Sequence, residues 1–179
     1  MTILTIPNLI TFVRIVILPV FVTALIYRRY NYALALFIAA SVSDMLDGLL
    51  ARLTDQKSAL GAFLDPLADK ILLVTSFILF AVYGWIPLWV TIAVISRDLI
   101  VVVGWFLFYL LYDTTKVEPS FIGKSAIAGQ LLLIAYTLFS VTVPALPEPQ
   151  GWMFWTVALL TIVSGLQYIF RGLKHAAEK

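Results

Sequence analysis

Six long apolar runs, separated by short polar breaks, organise this chain. They fall at about 7–27, 31–52, 61–83, 85–112, 121–144 and 151–170. Each reaches the ~20 residues that a helix needs to cross the hydrocarbon of a bilayer. The breaks hold residues that punctuate helices: Arg28-Arg29-Tyr30-Asn31, the stretch 54–58, Tyr83-Gly84, and the stretches 113–119 and 144–151 with their prolines, glycine and charges. The pattern predicts an all-α polytopic membrane protein with six transmembrane helices, and 179 residues suit a single membrane domain over 1–179. No soluble domain, low-complexity segment or clear internal repeat interrupts it. The first run lacks a basic leader and a small-residue cleavage site, so it is expected to remain as a span rather than be removed as a signal peptide.

Composition and charge add an orientation. The chain is 62% hydrophobic and only 12% charged, against about 25% charged in soluble domains. Six spans put both termini on one side together with the 53–60 and 113–120 segments. That side holds Arg14, Arg52, Lys57, Lys116, Lys124, Arg171, Lys174 and Lys179, and the other holds Arg28 and Arg29. The bias of Lys and Arg towards the cytoplasmic face places both termini in the cytoplasm, in a bacterial inner membrane or an organelle equivalent. A net charge of +2 is too small to suggest nucleic-acid binding. The basic side is suited to anionic headgroups of membrane lipids. Tyr83, Trp85, Trp89, Tyr109, Tyr112, Trp152 and Trp155 gather near span ends, as an interfacial aromatic belt would.

Against this background four acids stand out. Asp44 and Asp47 lie near the end of the second run, and Asp65 and Asp69 near the start of the third. A charge at mid-bilayer costs roughly 2.5 to 3.5 kcal/mol or more on insertion scales, so such acids are candidates for function. Spacings of three and four put each pair on one helix face. Two helices joined by the short 53–60 segment are expected to be antiparallel neighbours that aim all four acids at one point. Carboxylates suit hard divalent cations, which often bind together with substrate phosphates. With no cysteine, and His175 as the only histidine, a zinc or thiolate site is excluded. The structural alternative is ion pairing with Arg52, Lys57 or Lys70.

Other polar positions carry two readings each. Gly48, Ala51 and Gly61 allow close approach of either a nucleotide or a neighbouring helix. Arg52 either forks onto phosphate or pairs with an aspartate. Arg97-Asp98 interrupts the fourth span, where Arg97 either faces a watery cavity and binds an anionic acceptor or lipid phosphate, or pairs internally with Asp98 or a motif aspartate. Lys124, opening the fifth span, either binds phosphate or snorkels to the interface. Asn8, Thr11 and Arg14 share one face of the first span. Pro66 either starts a helix segment or kinks a longer one.

Written out, the acidic stretch is Asp44-x-x-Asp47-Gly48-x-x-Ala51-Arg52, eight residues, then Gly61-x-x-x-Asp65-x-x-x-Asp69. It resembles, at all eight positions, the signature of the CDP-alcohol phosphatidyltransferases. The resemblance implies an integral membrane enzyme that moves a phosphatidyl or related group from a CDP-linked donor to an alcohol and releases CMP. It implies Asp44, Asp47 and Asp65 as ligands of Mg²⁺ or Mn²⁺, with Asp69 as the base that takes the acceptor hydroxyl proton and also touches metal. Gly48, Ala51, Arg52 and Gly61 are implied as CDP-donor contacts, and a homodimer as the assembly.

The segments IPNLITFVRIVILP, LGAFLDPLADKILL, GKSAIAGQ and SGLQYIFRG resemble the glycerol-based branch of that family, with CDP-diacylglycerol as donor and a glycerol-based acceptor. Asn8, Thr11 and Arg14 resemble the opening N-x-x-T-x-x-R of its glycerophospholipid-making members. Phosphatidylglycerol-phosphate synthases of this branch usually carry Arg-Glu in the fourth span, a second Arg eight residues later, and Thr after the Gly-Lys of the fifth span. Here those places hold Arg97-Asp98, Trp105 and Ser125-Ala126-Ile127. Arg-Asp and the run Pro119-Ser120-Phe121-Ile122 resemble the cardiolipin synthase type instead. The expected acceptor is phosphatidylglycerol, with glycerol-3-phosphate as the alternative and inositol-type acceptors third. Rival readings from other classes are a small ion- or proton-coupled transporter and a non-catalytic lipid-binding member of the fold. Clustering of the acids at one membrane face argues against the first, and the complete aspartate set against the second.

Overall fold

The structure, a computed structural model, describes residues 6–54, 59–112 and 121–177, with side chains described at 13, 15–43, 70–107 and 121–174. It is all-helical over those residues, with α1 (Ile6–Ile26), α2 (Tyr30–Thr54), α3 (Ala59–Val82), α4 (Leu88–Tyr112), α5 (Phe121–Thr142) and α6 (Gly151–Ala177). Six apolar runs have become six helices. Among the described residues, three stretches are long and apolar enough to cross a membrane: Leu88–Leu107, Phe121–Thr142 and Gly151–Lys174. The described apolar stretches of the first three helices are shorter, at Ile15–Ile26, Tyr30–Ser43 and Lys70–Val82. α3 continues through Pro66 as a single helix from Ala59, so the proline does not start it.

Two compact units can be distinguished, Met1–Ser76 with Ala135–Glu148, and Phe77–Ile134 with Pro149–Lys179. In the first, α1 and α2 form an antiparallel hairpin. Phe21, Ala24 and Leu25 of α1 and Ala33, Phe37 and Ala40 of α2 are buried at helical spacing. Phe21 and Phe37 meet with ring centroids 6.2 Å apart. The turn closes α1 tightly: Arg28 N–H donates to Leu25 O at 3.0 Å and Arg29 N–H to Ala24 O at 2.8 Å. That pair of bonds is the Schellman arrangement, which needs a left-handed residue at its centre. Arg28 occupies it with φ 56°.

In the second unit α4 and α6 run parallel. Trp89 lies 4.6 Å from Trp155 between ring centroids near their starts, Arg97 reaches Ser164 further on, and Gly104 faces Tyr168 beyond that. Val90, Val94, Arg97 and Asp98 form the buried face of α4, and Val157, Ala158, Thr161 and Ser164 that of α6. α5 joins through a hydrogen bond from Gln130 Nε2 to Thr161 Oγ1 at 2.9 Å, both buried. The α3–α4 turn repeats the Schellman pattern, with Gly84 N–H to Ala81 O at 3.1 Å, Trp85 N–H to Phe80 O at 2.9 Å, and Gly84 at φ 73°. Thr91 Oγ1 then donates to Phe77 O at 3.2 Å across that turn. Hydroxyls elsewhere close on the carbonyl four residues back, as at Ser41, Ser76 and Thr142. Such local bonds satisfy hydroxyls where water is absent.

Candidate active site

The eight motif positions divide between two helices. The last three turns of α2 carry Asp44, Asp47, Gly48, Ala51 and Arg52, and the first three turns of α3 carry Gly61, Asp65 and Asp69. A helix through 44–52 and another through 61–69 give the registers that the spacing required, with each aspartate pair within one turn on its own helix. The side chains of all eight, and those of Asn8 and Arg14, lie outside the described residues. Among the described residues no group of three or more His, Cys, Asp and Glu could hold a metal. The motif's donor set is four carboxylates on two continuous helices, in a chain without cysteine. That chemistry fits a hard divalent cation and does not fit a soft one.

Arg97 is described in full. It is buried in the middle of α4. Its Nη1 donates to Asp98 Oδ1 at 2.8 Å, an ion pair between chain neighbours. Its Nη2 donates to Ser164 Oγ on α6 at 3.1 Å. The internal pair with Asp98 is therefore formed, and it lowers the expense of a cation within an apolar span. It also uses only part of the guanidinium, which has five N–H donors. Nε of Arg97 is buried and makes no hydrogen bond among the described residues.

Lys124 lies in the first turn of α5 and is exposed. Trp105, two turns beyond Arg97 on α4, is 45% exposed. Of the expected aromatic belt, Tyr83, Trp85, Trp89 and Trp155 have ring partners, and the side chains of Tyr109 and Tyr112 lie outside the described residues. Tyr83 and Trp85 stack at 5.0 Å, Phe80 meets Trp85 edge-on at 5.2 Å, and Trp89 meets Trp155.

The sequence reading passed over the polar face of α6. Thr161, Ser164 and Tyr168 are spaced by three and four and recur inside an apolar helix, a signal present in the run TIVSGLQYIFRG. Thr161 meets Gln130, Ser164 meets Arg97, and the ring of Tyr168 packs against Gly104. Gln167 Oε1 and the Tyr168 hydroxyl are buried and have no hydrogen-bond partner among the described residues.

Comparison with known proteins identifies a family. A family model for CDP-alcohol phosphatidyltransferase matches residues 4–163 and so runs across both units. The chain is 34% identical to a protein named cardiolipin synthase (CMP-forming) from Rattus norvegicus, over 95% of this chain. The human protein of that name is 33% identical over the same share. The chain spans 62% of the length of each of these two relatives. It is 32% identical to a probable phosphatidylglycerophosphate synthase of Mycobacterium tuberculosis, over 93% of this chain and 81% of that protein.

Proposed function

The chain belongs to the CDP-alcohol phosphatidyltransferase family, and on that premise we propose that it transfers a phosphatidyl group from CDP-diacylglycerol to a glycerol-based acceptor, releasing CMP. It is a membrane protein, with three described helices long and apolar enough to span. The observation that carries the proposal is the complete eight-residue motif, which lies within the matched segment and on two continuous helices.

In the proposed reaction an acceptor hydroxyl attacks the β-phosphorus of the CDP-lipid, the bond to CMP breaks, and the hydroxyl proton passes to Asp69. Asp44, Asp47 and Asp65, with Asp69, would hold Mg²⁺ or Mn²⁺. When bound, such a cation neutralises charge on the pyrophosphate and on the departing CMP. Asp69 serves as base only when ionised, and a cationic neighbour favours that form. Gly48, Ala51 and Gly61 leave room for the nucleotide beside the helices, and Arg52 offers a fork to its phosphates. On the acceptor side we assign Arg97, Lys124, Asn8 and Arg14 to phosphate. The proposed assembly is a homodimer with the active site and both termini facing the cytoplasm.

For the acceptor we propose phosphatidylglycerol, giving cardiolipin. Trp105 supports this, because a small dianionic acceptor gains from a second cation where this chain has an aromatic. Glycerol-3-phosphate is the second reading. It is favoured by the similarity to the mycobacterial protein, of which the chain covers 81%. The test incubates purified protein with CDP-diacylglycerol and each acceptor in turn, and identifies the lipid product alongside CMP. CMP release that depends on neither acceptor defeats the proposal. A transporter or a non-catalytic lipid binder would give no CMP at all.

A further inference from the structure

The α1–α2 hairpin carries a groove of about 730 Å³ at its turn end, away from the aspartates. Ala24 of α1 and Ala35 and Ala39 of α2 line it with no more than a methyl group each, beside the larger Val20 and Leu36. Thr23 lines it too, but its hydroxyl donates to Pro19 O at 2.7 Å and is spent within α1. The groove is therefore apolar along its length. Val20, Ala35 and Ala39 are exposed, so it opens on the outside of the hairpin.

Its mouth is polar. Tyr27, Arg29 and Tyr32 complete the lining, and all three are exposed. They flank the turn where α1 ends at Ile26 and α2 begins at Tyr30. Tyrosines at span ends sit at headgroup level. Arg28, also exposed, adds a second positive charge beside Arg29. Neither arginine has an ion-pair partner among the described residues, and the chain contains no Asp or Glu before Asp44.

The dimensions select a ligand class. From Arg29 to Ala39 the groove follows α2 for about 15 Å at the helical rise. That is half the ~30 Å hydrocarbon thickness of a bilayer, the depth of one leaflet. A guanidinium at headgroup level complements a phosphoryl oxygen, and two cations without an acid favour a headgroup of net negative charge. A phospholipid supplies that phosphate together with an apolar chain one leaflet long. Asp44 lies about 22 Å from Arg29 along α2, so a phosphate at the turn is not one held by the aspartates.

We propose that this groove is a binding site for an anionic membrane phospholipid, separate from the active site. Arg29 holds the phosphate, Arg28 adds positive charge, and one acyl chain lies along α1 and α2. By touching both helices the lipid fastens the hairpin. The site does not depend on the transferase reading.

The experiment titrates the full chain in detergent with phosphatidic acid or phosphatidylcholine of matched acyl chains, without CDP-diacylglycerol. Phosphatidic acid has no free alcohol and so is not an acceptor. Bound lipid is counted by mass spectrometry of the intact complex, and melting temperature is followed in parallel. Wild type should hold phosphatidic acid about tenfold more tightly than phosphatidylcholine, roughly the effect of one charged hydrogen bond, and melt higher with it. Arg29→Gln should abolish that preference, and Arg29→Lys should keep most of it. Ala39→Phe fills the groove and should expel the lipid with Arg29 still in place. Should that variant fail to fold, Ala35→Leu fills the same groove nearer its mouth. Equal binding of the two lipids by wild type, or a preference that Arg29→Gln leaves unchanged, overturns the proposal. Glycerol-3-phosphate, a headgroup without chains, should not displace the lipid, and displacement would reduce the site to exposed cations and overturn the groove. A changed oligomeric state in Ala39→Phe with bound lipid unchanged would give the groove to a second copy of the chain, and also overturns it.

Discussion

Gly104 on α4 and Tyr168 on α6 fit one another so closely that a Cβ at position 104 would stand 2.6 Å from Cε1 of the tyrosine ring. Real side chains do not approach to that distance, so the glycine is what lets α4 and α6 meet there, as small residues do in membrane packing. Gly104→Ala should lower stability by about 1 to 3 kcal/mol, the usual cost of overpacking. Tyr168→Leu removes the ring and should absorb most of that cost in the double variant, whereas Tyr168→Phe keeps Cε1 and should not. Thermal unfolding of the four proteins in one detergent checks this. Additive losses in the Gly104→Ala/Tyr168→Leu protein would mean the contact is not the cause.

The helices were legible because the apolar runs are long and the breaks between them short. Expected bounds of 7–27 and 31–52 became Ile6–Ile26 and Tyr30–Thr54. The fourth helix starts at Leu88 rather than 85, because Gly84 closes α3 in a left-handed turn and Pro87 bars earlier continuation. The aspartate spacing expects a helix register at 44–47 and 65–69, and α2 and α3 supply helices there, while the aspartate side chains lie outside the described residues. The partner of Arg97 on α6 was not legible. Ser164 lies sixty-seven residues away in sequence, and no local periodicity ties a serine on one span to an arginine on another. The Asp98 pairing was one of two open alternatives, and only coordinates could show it formed.

Arg28 gives a second prediction. It holds the left-handed position that glycine fills in the matching turn at Gly84. A non-glycine residue there costs roughly 1 to 2 kcal/mol. Arg28→Gly should relieve part of that strain and raise stability by about 0.5 to 1 kcal/mol, whereas Gly84→Ala should lower it although no atom lies within 4 Å of the added methyl. A drop in melting temperature for Arg28→Gly would show that the arginine side chain contributes more than its backbone costs.

Metal dependence follows from the donor set. Activity should require a hard divalent cation and vanish on thorough chelation, returning with Mg²⁺ or Mn²⁺. Asp44→Asn, Asp47→Asn and Asp65→Asn should each lose nearly all turnover while unfolding at a temperature close to wild type. Any one of them that kept a near wild-type rate would leave the proposed ligand set. Full activity in chelator would remove the metal site altogether.

Orientation is open to chemical labelling, because the chain has no cysteine of its own. The Lys and Arg bias puts the 55–58 segment in the cytoplasm and the α1–α2 turn outside. A cysteine introduced at Ser58 should be shielded from an impermeant thiol reagent in intact cells. One introduced at Asn31, which is exposed, should react. The reverse pattern means that the chain is inserted the other way round.

The acceptor turns on Arg97 and Trp105. Removing Arg97 alone leaves Asp98 as a buried charge without its cation, so a defect in Arg97→Ala could come from misfolding rather than lost binding. The double variant Arg97→Met with Asp98→Asn removes both charges together and should fold about as well as wild type. If Arg97 holds the acceptor phosphate, the double variant still shows an acceptor KM raised ten- to hundredfold, the equivalent of about 1.5 to 3 kcal/mol for a charged hydrogen bond. If the arginine only neutralises Asp98, the double variant recovers normal KM. Trp105 then separates the two acceptors. With wild type, phosphatidylglycerol should give faster CMP release than glycerol-3-phosphate at saturating donor. Trp105→Arg places a second cation two turns from Arg97, and should shift the ratio of the two rates towards glycerol-3-phosphate. Faster release with glycerol-3-phosphate by the unmodified protein would make phosphatidylglycerol phosphate the product and overturn the preference for cardiolipin.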